Sequence, residues 1–167
     1  MANTAKITYG ASTTTVITLT TLAASTTGAG RQSLALYNTT NLYLNAMLYV
    51  ECAVTTGTIG MDKCVYVYLY GSEDGTTFNE DTVTGTDGTI AFNITGNNLI
   101  LGGVINFATS VTGLCAQNII IPSVATCFGG NMPRKWGFVI YNSTNIALST
   151  TEALCVHTYT GIYNISV

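Results

Sequence analysis

The sequence predicts an all-β fold, a single antiparallel β-sandwich that is jelly-roll-like and has roughly eight to ten strands. Apolar residues alternate with a period of two in several runs, which places them on one face of a strand. These runs are rich in Thr, Val, Ile and Tyr, which favour strands. Clusters of Gly, Asn and Asp separate them as turns. No shift in composition marks a second domain, so residues 1–167 are expected to form one domain.

The clearest strand prediction is Leu42–Val54, in which every even-numbered position is apolar. The other strong runs are Cys64–Tyr70, Thr89–Thr95, Trp136–Asn142 and Glu152–Tyr163. The weaker candidates are Lys6–Tyr9, Thr14–Thr21, Ser33–Tyr37, Asn98–Phe107 and Asn118–Ile121. Because side chains alternate along a strand, Trp136, Phe138 and Ile140 are predicted to share one face.

Charged residues are scarce and unevenly placed. They make up 8% of the chain, against roughly 25% in an ordinary soluble domain. Seven of the eight acids lie between Glu51 and Asp87, whereas residues 7–30 and 88–133 carry no charge. Exposed sheet edges usually carry charges that prevent further pairing, so we expect neighbouring subunits to cover these edges. Residues 1–30 are a candidate extended arm for such contacts.

The composition also argues against several kinds of partner. Five basic residues and a net charge of −3 cannot neutralise many phosphates, so no nucleic-acid partner is expected. No apolar run approaches the length of a membrane-spanning helix, so no membrane partner is expected. The first residues lack the apolar core of a signal peptide, which predicts synthesis in the cytoplasm without export.

Residues that could carry out catalysis are few. His157 is the single histidine, and no G-x-S-x-G or phosphate-binding motif occurs. The five cysteines contain no C-x-x-C pair and are interpreted as small core residues, with disulfides after release as the alternative. We therefore predict a protein that is not an enzyme and that has no catalytic residues and no cofactor, with His157 in a structural or surface role.

The acidic segment 71–88 has two interpretations. Asp74, Asp81 and Asp87 are candidate calcium ligands, because carboxylate oxygens suit that ion. Their spacing fits no EF-hand loop, however, and the mixture of Gly, Thr and Asp suits a solvated hairpin loop. A plain loop is the favoured interpretation.

Two groups of residues are candidates for contacts with a partner. The segment Arg134-Lys135-Trp136 combines two of the five basic residues with the only Trp, and Arg and Trp are preferred interface anchors. The alternative is that Trp136 belongs to the core. The stripe of Tyr66, Tyr68 and Tyr70 suits a cross-strand aromatic ladder or a subunit interface, with a sugar-stacking platform as the alternative.

Several phrases of the sequence together resemble a group of small virion proteins of tailed phages, encoded among head genes. The phrases are Ile7-Thr-Tyr-Gly10, Gly30-Arg-Gln-Ser33, Asn38-Thr-Thr-Asn-Leu-Tyr43, Tyr70-Gly-Ser-Glu-Asp-Gly-Thr76, Pro133-Arg-Lys-Trp-Gly-Phe-Val139 and Thr158-Tyr-Thr-Gly-Ile-Tyr163. The resemblance spans nearly the whole chain. It implies a β-sandwich accessory protein, most plausibly a capsid decoration (cement) protein on the outside of the virion.

The resemblance also implies partners. Proteins of this kind bind copies of themselves, with a trimer favoured, and bind a major capsid protein, which they clamp against internal pressure. Three alternatives stay open: a tail or head-fibre component used in adhesion, an extracellular filament subunit joined by strand exchange, and a carbohydrate-binding module that uses the tyrosine stripe.

Overall fold

The computed structural model describes residues 5–60 and 62–166. Over these residues the chain forms twelve strands, a short α-helix α1 (Val124–Cys127) and a 3₁₀ turn (Glu152–Leu154). The strands are β1 (Ala5–Thr14), β2 (Ala29–Gln32), β3 (Leu36–Tyr37), β4 (Asn45–Val54), β5 (Gly57–Thr58), β6 (Cys64–Ser72), β7 (Gly88–Ala91), β8 (Ile100–Asn106), β9 (Ser110–Val111), β10 (Cys115–Ile121), β11 (Lys135–Ser143) and β12 (His157–Ser166).

Two antiparallel sheets form the sandwich. Sheet A has the strand order β1-β12-β4-β10, and sheet B has the order β7-β2-β11-β6-β8, with β3 also paired to β11. Without β7 and the two-residue strands, the eight remaining strands form two four-stranded sheets joined by connections that cross between them. Their orders, β1-β12-β4-β10 and β2-β11-β6-β8, are those of a jelly roll. The predicted all-β, jelly-roll-like sandwich is therefore confirmed.

The main core lies between the two sheets. Alternation along the strands turns every second side chain inward, so Trp136, Phe138 and Ile140 share the inner face of β11 as predicted. The inner face of β4 and that of β6 supply the rest of its centre: Leu48, Val50, Cys52, Val54, Val65, Val67 and Leu69. All of these side chains are fully or almost fully buried.

A second core lies on the outer face of sheet B. There Tyr70, Val139 and Tyr141 point away from the sandwich and are nevertheless buried. The segment of residues 73–99, hereafter the cover segment, lies over them with Phe78, Val83, Ile90, Phe92 and Leu99. The cover segment contains five of the eight acids. Most of this acidic segment thus forms an outer layer that shields the centre of one face of sheet B.

The N-terminal region differs from the prediction. Thr14–Thr21 was expected to be a strand, but only Thr14 is in β1, and the chain then crosses irregularly to sheet B. Ile17 and Leu19 are buried on the way, while backbone N–H groups of this crossing bond to carboxylates instead of to a neighbouring strand. Residues 1–4 of the candidate arm lie outside the described residues.

The long predicted strand also begins later than expected. β4 starts at Asn45 rather than at Leu42, because the side chain of Asn38 bonds to both the N–H and the C=O of Tyr43 and closes a loop. Leu42 has a positive φ of 50° in that loop, a backbone conformation that a strand does not contain.

Candidate functional site

The most extensive open surface built from regular strands is the outer face of sheet A, hereafter the sheet A face. Strand register assigns to it five outward positions on each of β1 and β12, four on β4 and three on β10. The residues are Ala5, Ile7, Tyr9, Ser12, Thr14, Asn45, Met47, Tyr49, Glu51, Ala116, Asn118, Ile120, Thr158, Thr160, Ile162, Asn164 and Ser166. No described segment of the chain packs over it as the cover segment packs over sheet B.

Several apolar side chains stand out on the sheet A face. Ile7, Tyr9 and Ile120 are 64%, 62% and 60% exposed, and Met47 and Ile162 are half-buried between neighbouring strands. Thr, Ser and Asn fill most of the remaining positions. Such a surface combines apolar area with neutral hydrogen-bonding groups, which cost less to remove from water than charges do.

Among the described residues of this face, Glu51 is the only charged one. The hydroxyl of Tyr49 donates a hydrogen bond of 2.6 Å to Glu51 Oε2. That bond, together with partial burial and the charge of Glu51, raises the pKa of Tyr49 to about 12. The carboxylate is therefore already paired with a neighbour on the same face.

The edges of sheet A are the strands β1 and β10, each of which pairs on one side only. Residues 5–9 of β1 pair with residues 162–166 of β12, and of these β12 residues only Ile162 also pairs with β4. A register shift between Tyr9 and Ser12 interrupts the β1–β12 ladder. Bulges of this kind twist an edge strand and hinder its extension by another strand. The flat face is thus a better docking surface than the β1 edge.

The structure separates the three members of the Arg134-Lys135-Trp136 segment. Trp136 is 1% exposed and belongs to the main core, so its side chain offers no surface to a partner. Lys135 Nζ lies 4.5 Å from the ring centre of Tyr37 in a cation–π contact. Arg134 is exposed and lines a groove of about 550 Å³, together with Phe78, Phe128 and Glu73.

The tyrosine stripe forms an aromatic ladder on the outer face of sheet B. The ring centres of Tyr66 and Tyr68 lie 6.0 Å apart, and those of Tyr66 and Tyr141 lie 5.8 Å apart. Tyr70 is fully buried and donates a hydrogen bond of 2.6 Å to the carbonyl oxygen of Ser33. Burial raises the pKa of Tyr70 to about 12, although its bond to Ser33 opposes the shift. Only Tyr66 and Tyr68, both half-buried, keep a surface that a partner could reach.

The three candidate calcium ligands have separate roles. Asp74 accepts hydrogen bonds from the N–H groups of Thr77 and Thr76, which lower the pKa of its carboxyl. Asp87 accepts hydrogen bonds from Arg31 and Thr18, and Asp81 is exposed. Over residues 5–60 and 62–166, no group of three or more His, Cys, Asp or Glu is placed to hold a metal ion.

A second arrangement, which we call the carboxylate clamp, was not predicted from the sequence. In it, Glu152 and Asp87 hold residues 18–20. Glu152 accepts hydrogen bonds from the backbone N–H groups of Leu19 and Thr20, at 2.9 Å and 2.6 Å, and from the Thr20 hydroxyl. Asp87 accepts from the N–H and hydroxyl of Thr18, at 3.1 Å and 2.7 Å. Their contacts join positions 133 and 69 residues apart, so no local motif could indicate them.

His157 adjoins the clamp. Its Nδ1 atom lies 3.0 Å from the hydroxyl of Thr15, and its Nε2 atom lies 3.6 Å from Glu152 Oε1. Thr15 and His157 are both buried, so the hydroxyl faces the protein interior rather than a substrate cleft. This placement fits the structural role expected for His157.

The cysteines are all free thiols in the described residues. Cys52 and Cys155 lie in the main core, as expected for small core residues. Burial raises the pKa of the Cys52 thiol well above its ordinary value, which leaves it as the unreactive neutral thiol.

Comparisons with protein-family models, with curated proteins and with solved structures find no match to this chain. Within the described part of the chain, no helix has both the length and the apolar character needed to span a membrane.

Proposed function

We propose that this protein is a structural component of a phage virion, a decoration (cement) protein that binds copies of itself and the outer face of a major capsid protein. The observation that carries the proposal is the sheet A face, a broad strand surface that has one charged residue among those described and that no described segment covers. A surface of that kind suits a subunit that functions while packed against other proteins in an assembly.

Two further features support the proposal. Jelly-roll sandwiches occur among viral capsid and lectin domains, although a fold by itself does not decide function. The scarcity of basic residues fits a protein on the outside of the shell better than one that lines the genome. Stabilisation would follow mass action, because many modest contacts that form only in the assembled particle favour that state over the dissociated one.

The test compares particles assembled with and without the protein. A decoration protein restores heat and osmotic tolerance when the purified chain is added back, and imaging finds many copies in a regular arrangement on the head. Particles that bind no added protein, or that bind it and gain no tolerance, contradict the cement function. A few copies confined to one vertex or to the tail would indicate the fibre alternative instead.

A further inference from the structure

We infer that the sheet A face is covered by a second copy of this chain, with the two sheets A packed face to face about a two-fold axis. This inference names a partner for the surface on which the proposed function rests. Three observations support it: the area of the face, the distribution of charge over the molecule and the apolar groups that the face presents.

The area suits one partner rather than two. Four strands spaced about 4.8 Å apart give a width of about 19 Å, and strands of about nine residues give a length of about 30 Å. The face therefore offers about 600 Å² per copy, or about 1,200 Å² for a pair, which lies in the range of specific interfaces. In a trimer, each copy would divide the face between two neighbours. The total area buried at each contact would then be about half of that value, which is smaller than specific interfaces usually bury.

The charge distribution favours pairing through this face. Four of the eight acids, Glu73, Asp74, Glu80 and Asp81, lie in the part of the cover segment that precedes β7, on the outer side of sheet B and away from the sheet A face. Face-to-face pairing places the two cover segments at the far ends of the dimer, where their repulsion is weakest. The one acid on the face, Glu51, is already bonded to Tyr49.

The apolar groups are spread over the face rather than gathered at one edge. Ile7 and Tyr9 stand on β1, Met47 on β4 and Ile120 on the opposite edge strand β10. Sheets that pack face to face interlock such side chains at a spacing of about 10 Å. A second copy presents the same pattern of small hydroxyl side chains and larger apolar ones, so the surface can complement itself, as a two-fold contact requires.

The experiment measures the mass of the full chain in solution by sedimentation velocity over a range of micromolar concentrations. We expect a species of twice the chain mass of 17.6 kDa. Thr160→Lys, which places a charge at the centre of the face between Met47 and Ser12, should weaken the dimer at least about tenfold, because the ammonium group is buried without a partner. Thr89→Lys on the exposed part of β7 is the matched control and should leave the mass unchanged.

A second pair of variants avoids any cost to folding. Tyr9→Lys replaces a side chain that is 62% exposed on the face, and Leu101→Lys replaces one that is 52% exposed on sheet B. We expect Tyr9→Lys to shift the equilibrium toward single chains and Leu101→Lys to leave it as it is. The inference is overturned if the protein sediments as single chains at every concentration or with the mass of three chains. It is also overturned if a variant on the sheet A face and its control on sheet B dissociate the dimer equally.

The outcomes separate this inference from the proposed function. A single chain that still binds and stabilises particles overturns the face-to-face dimer and leaves the cement function standing. A dimer that Thr160→Lys dissociates but that binds no particles supports the inference and contradicts the cement function.

Discussion

Within the described residues, sheet B is covered on its inner face and over the centre of its outer face, whereas sheet A is covered on its inner face alone. The difference is visible in single strands: from Trp136 to Ser143 every residue of β11 is buried, while β4 alternates between buried and half-buried side chains from Asn45 to Cys52. Sheet B is closed by the acidic cover segment. Sheet A offers its outer face to solvent with almost no charge. One side of the molecule is thus covered by its own chain, and the other is open to a partner.

The largest expected effect comes from truncating an aromatic side chain in the second core. Phe92 is 4% exposed and contacts the rings of Tyr68 and Tyr141 edge to face. Phe92→Ala should lower the free energy of unfolding by about 3–5 kcal/mol, because it removes a buried ring and leaves a cavity. Urea denaturation measures the loss.

The matched variant on sheet A is Tyr9→Ala, measured on dilute protein so that single chains dominate. Because Tyr9 is 62% exposed, the free energy of unfolding should change by no more than about 0.5 kcal/mol. If Tyr9→Ala costs as much as Phe92→Ala, the contrast between a covered and an open side is wrong.

An intermediate effect is expected at the carboxylate clamp. Glu152→Gln should lower the free energy of unfolding at pH 7 by about 1–3 kcal/mol, because it removes the charge from hydrogen bonds donated by Leu19 and Thr20. Glu73→Gln, which changes an exposed acid of the cover segment, is the matched control and should have little effect. If Glu73→Gln lowers the free energy of unfolding by the same amount, the change in net charge, and not the loss of the clamp, explains the effect of Glu152→Gln.

The clamp also predicts a dependence on pH. Burial alone would raise the pKa of Glu152 and of Asp87, but hydrogen bonds from Thr20, Thr18 and Arg31 outweigh it, and both values are lowered. A carboxyl with a lowered pKa stabilises the fold above its ordinary value and loses that contribution as the pH falls through the folded value.

Stability should therefore fall as the pH drops below the ordinary values of 4.5 and 3.8 for these two carboxyls. The protection of the amides of Thr18, Leu19 and Thr20 against hydrogen exchange, relative to the intrinsic exchange rate at each pH, should fall in the same range. Amides that stay equally protected at pH 7 and pH 3 would show that the carboxylates do not hold this crossing.

A small effect is also expected from a second substitution on the sheet A face. Tyr49→Phe removes the hydroxyl that donates to Glu51 but keeps the half-buried ring. The free energy of unfolding of the single chain should fall by less than about 1 kcal/mol, because water can replace the lost hydrogen bond. Thermal denaturation of dilute protein measures it, and a larger loss would mean that the open face contributes to the stability of the single chain.

The strand faces were predictable because they depend on local alternation. Period-two spacing correctly predicts that the even-numbered residues of β4, and Trp136, Phe138 and Ile140 of β11, point into the core. The second core was not predicted. Phe92 and Leu99 lie in predicted strands, but alternation cannot indicate which surface their side chains pack against, and Phe78 lies in turn-rich sequence outside those runs. The prediction that Thr14–Thr21 is a strand was wrong for a related reason. Alternation indicates an extended chain, but it cannot indicate whether the N–H groups bond to a strand or to Glu152 and Asp87.

The candidate site was predictable only in outline. Low charge indicated a covered sheet surface, yet the residues singled out for contacts, Trp136 and Tyr70, are buried within the chain itself. A large aromatic side chain is equally suited to a core and to an interface. The placement of such a residue depends on strand order and on the cover segment, and neither can be read from the neighbouring residues.

The pairing of β1 with β12 has a practical consequence for protein engineering. Ala5 lies directly opposite Ser166 in the ladder, so cross-strand neighbours about 5 Å apart mark both ends of the described chain. A short linker could join these two positions, with new termini opened in an exposed loop such as Gly129–Gly130. Labels attached at Ala5 or at Ser166 would lie at the same corner of sheet A, near Ile7, and a change in their signal would show whether a partner occupies that corner.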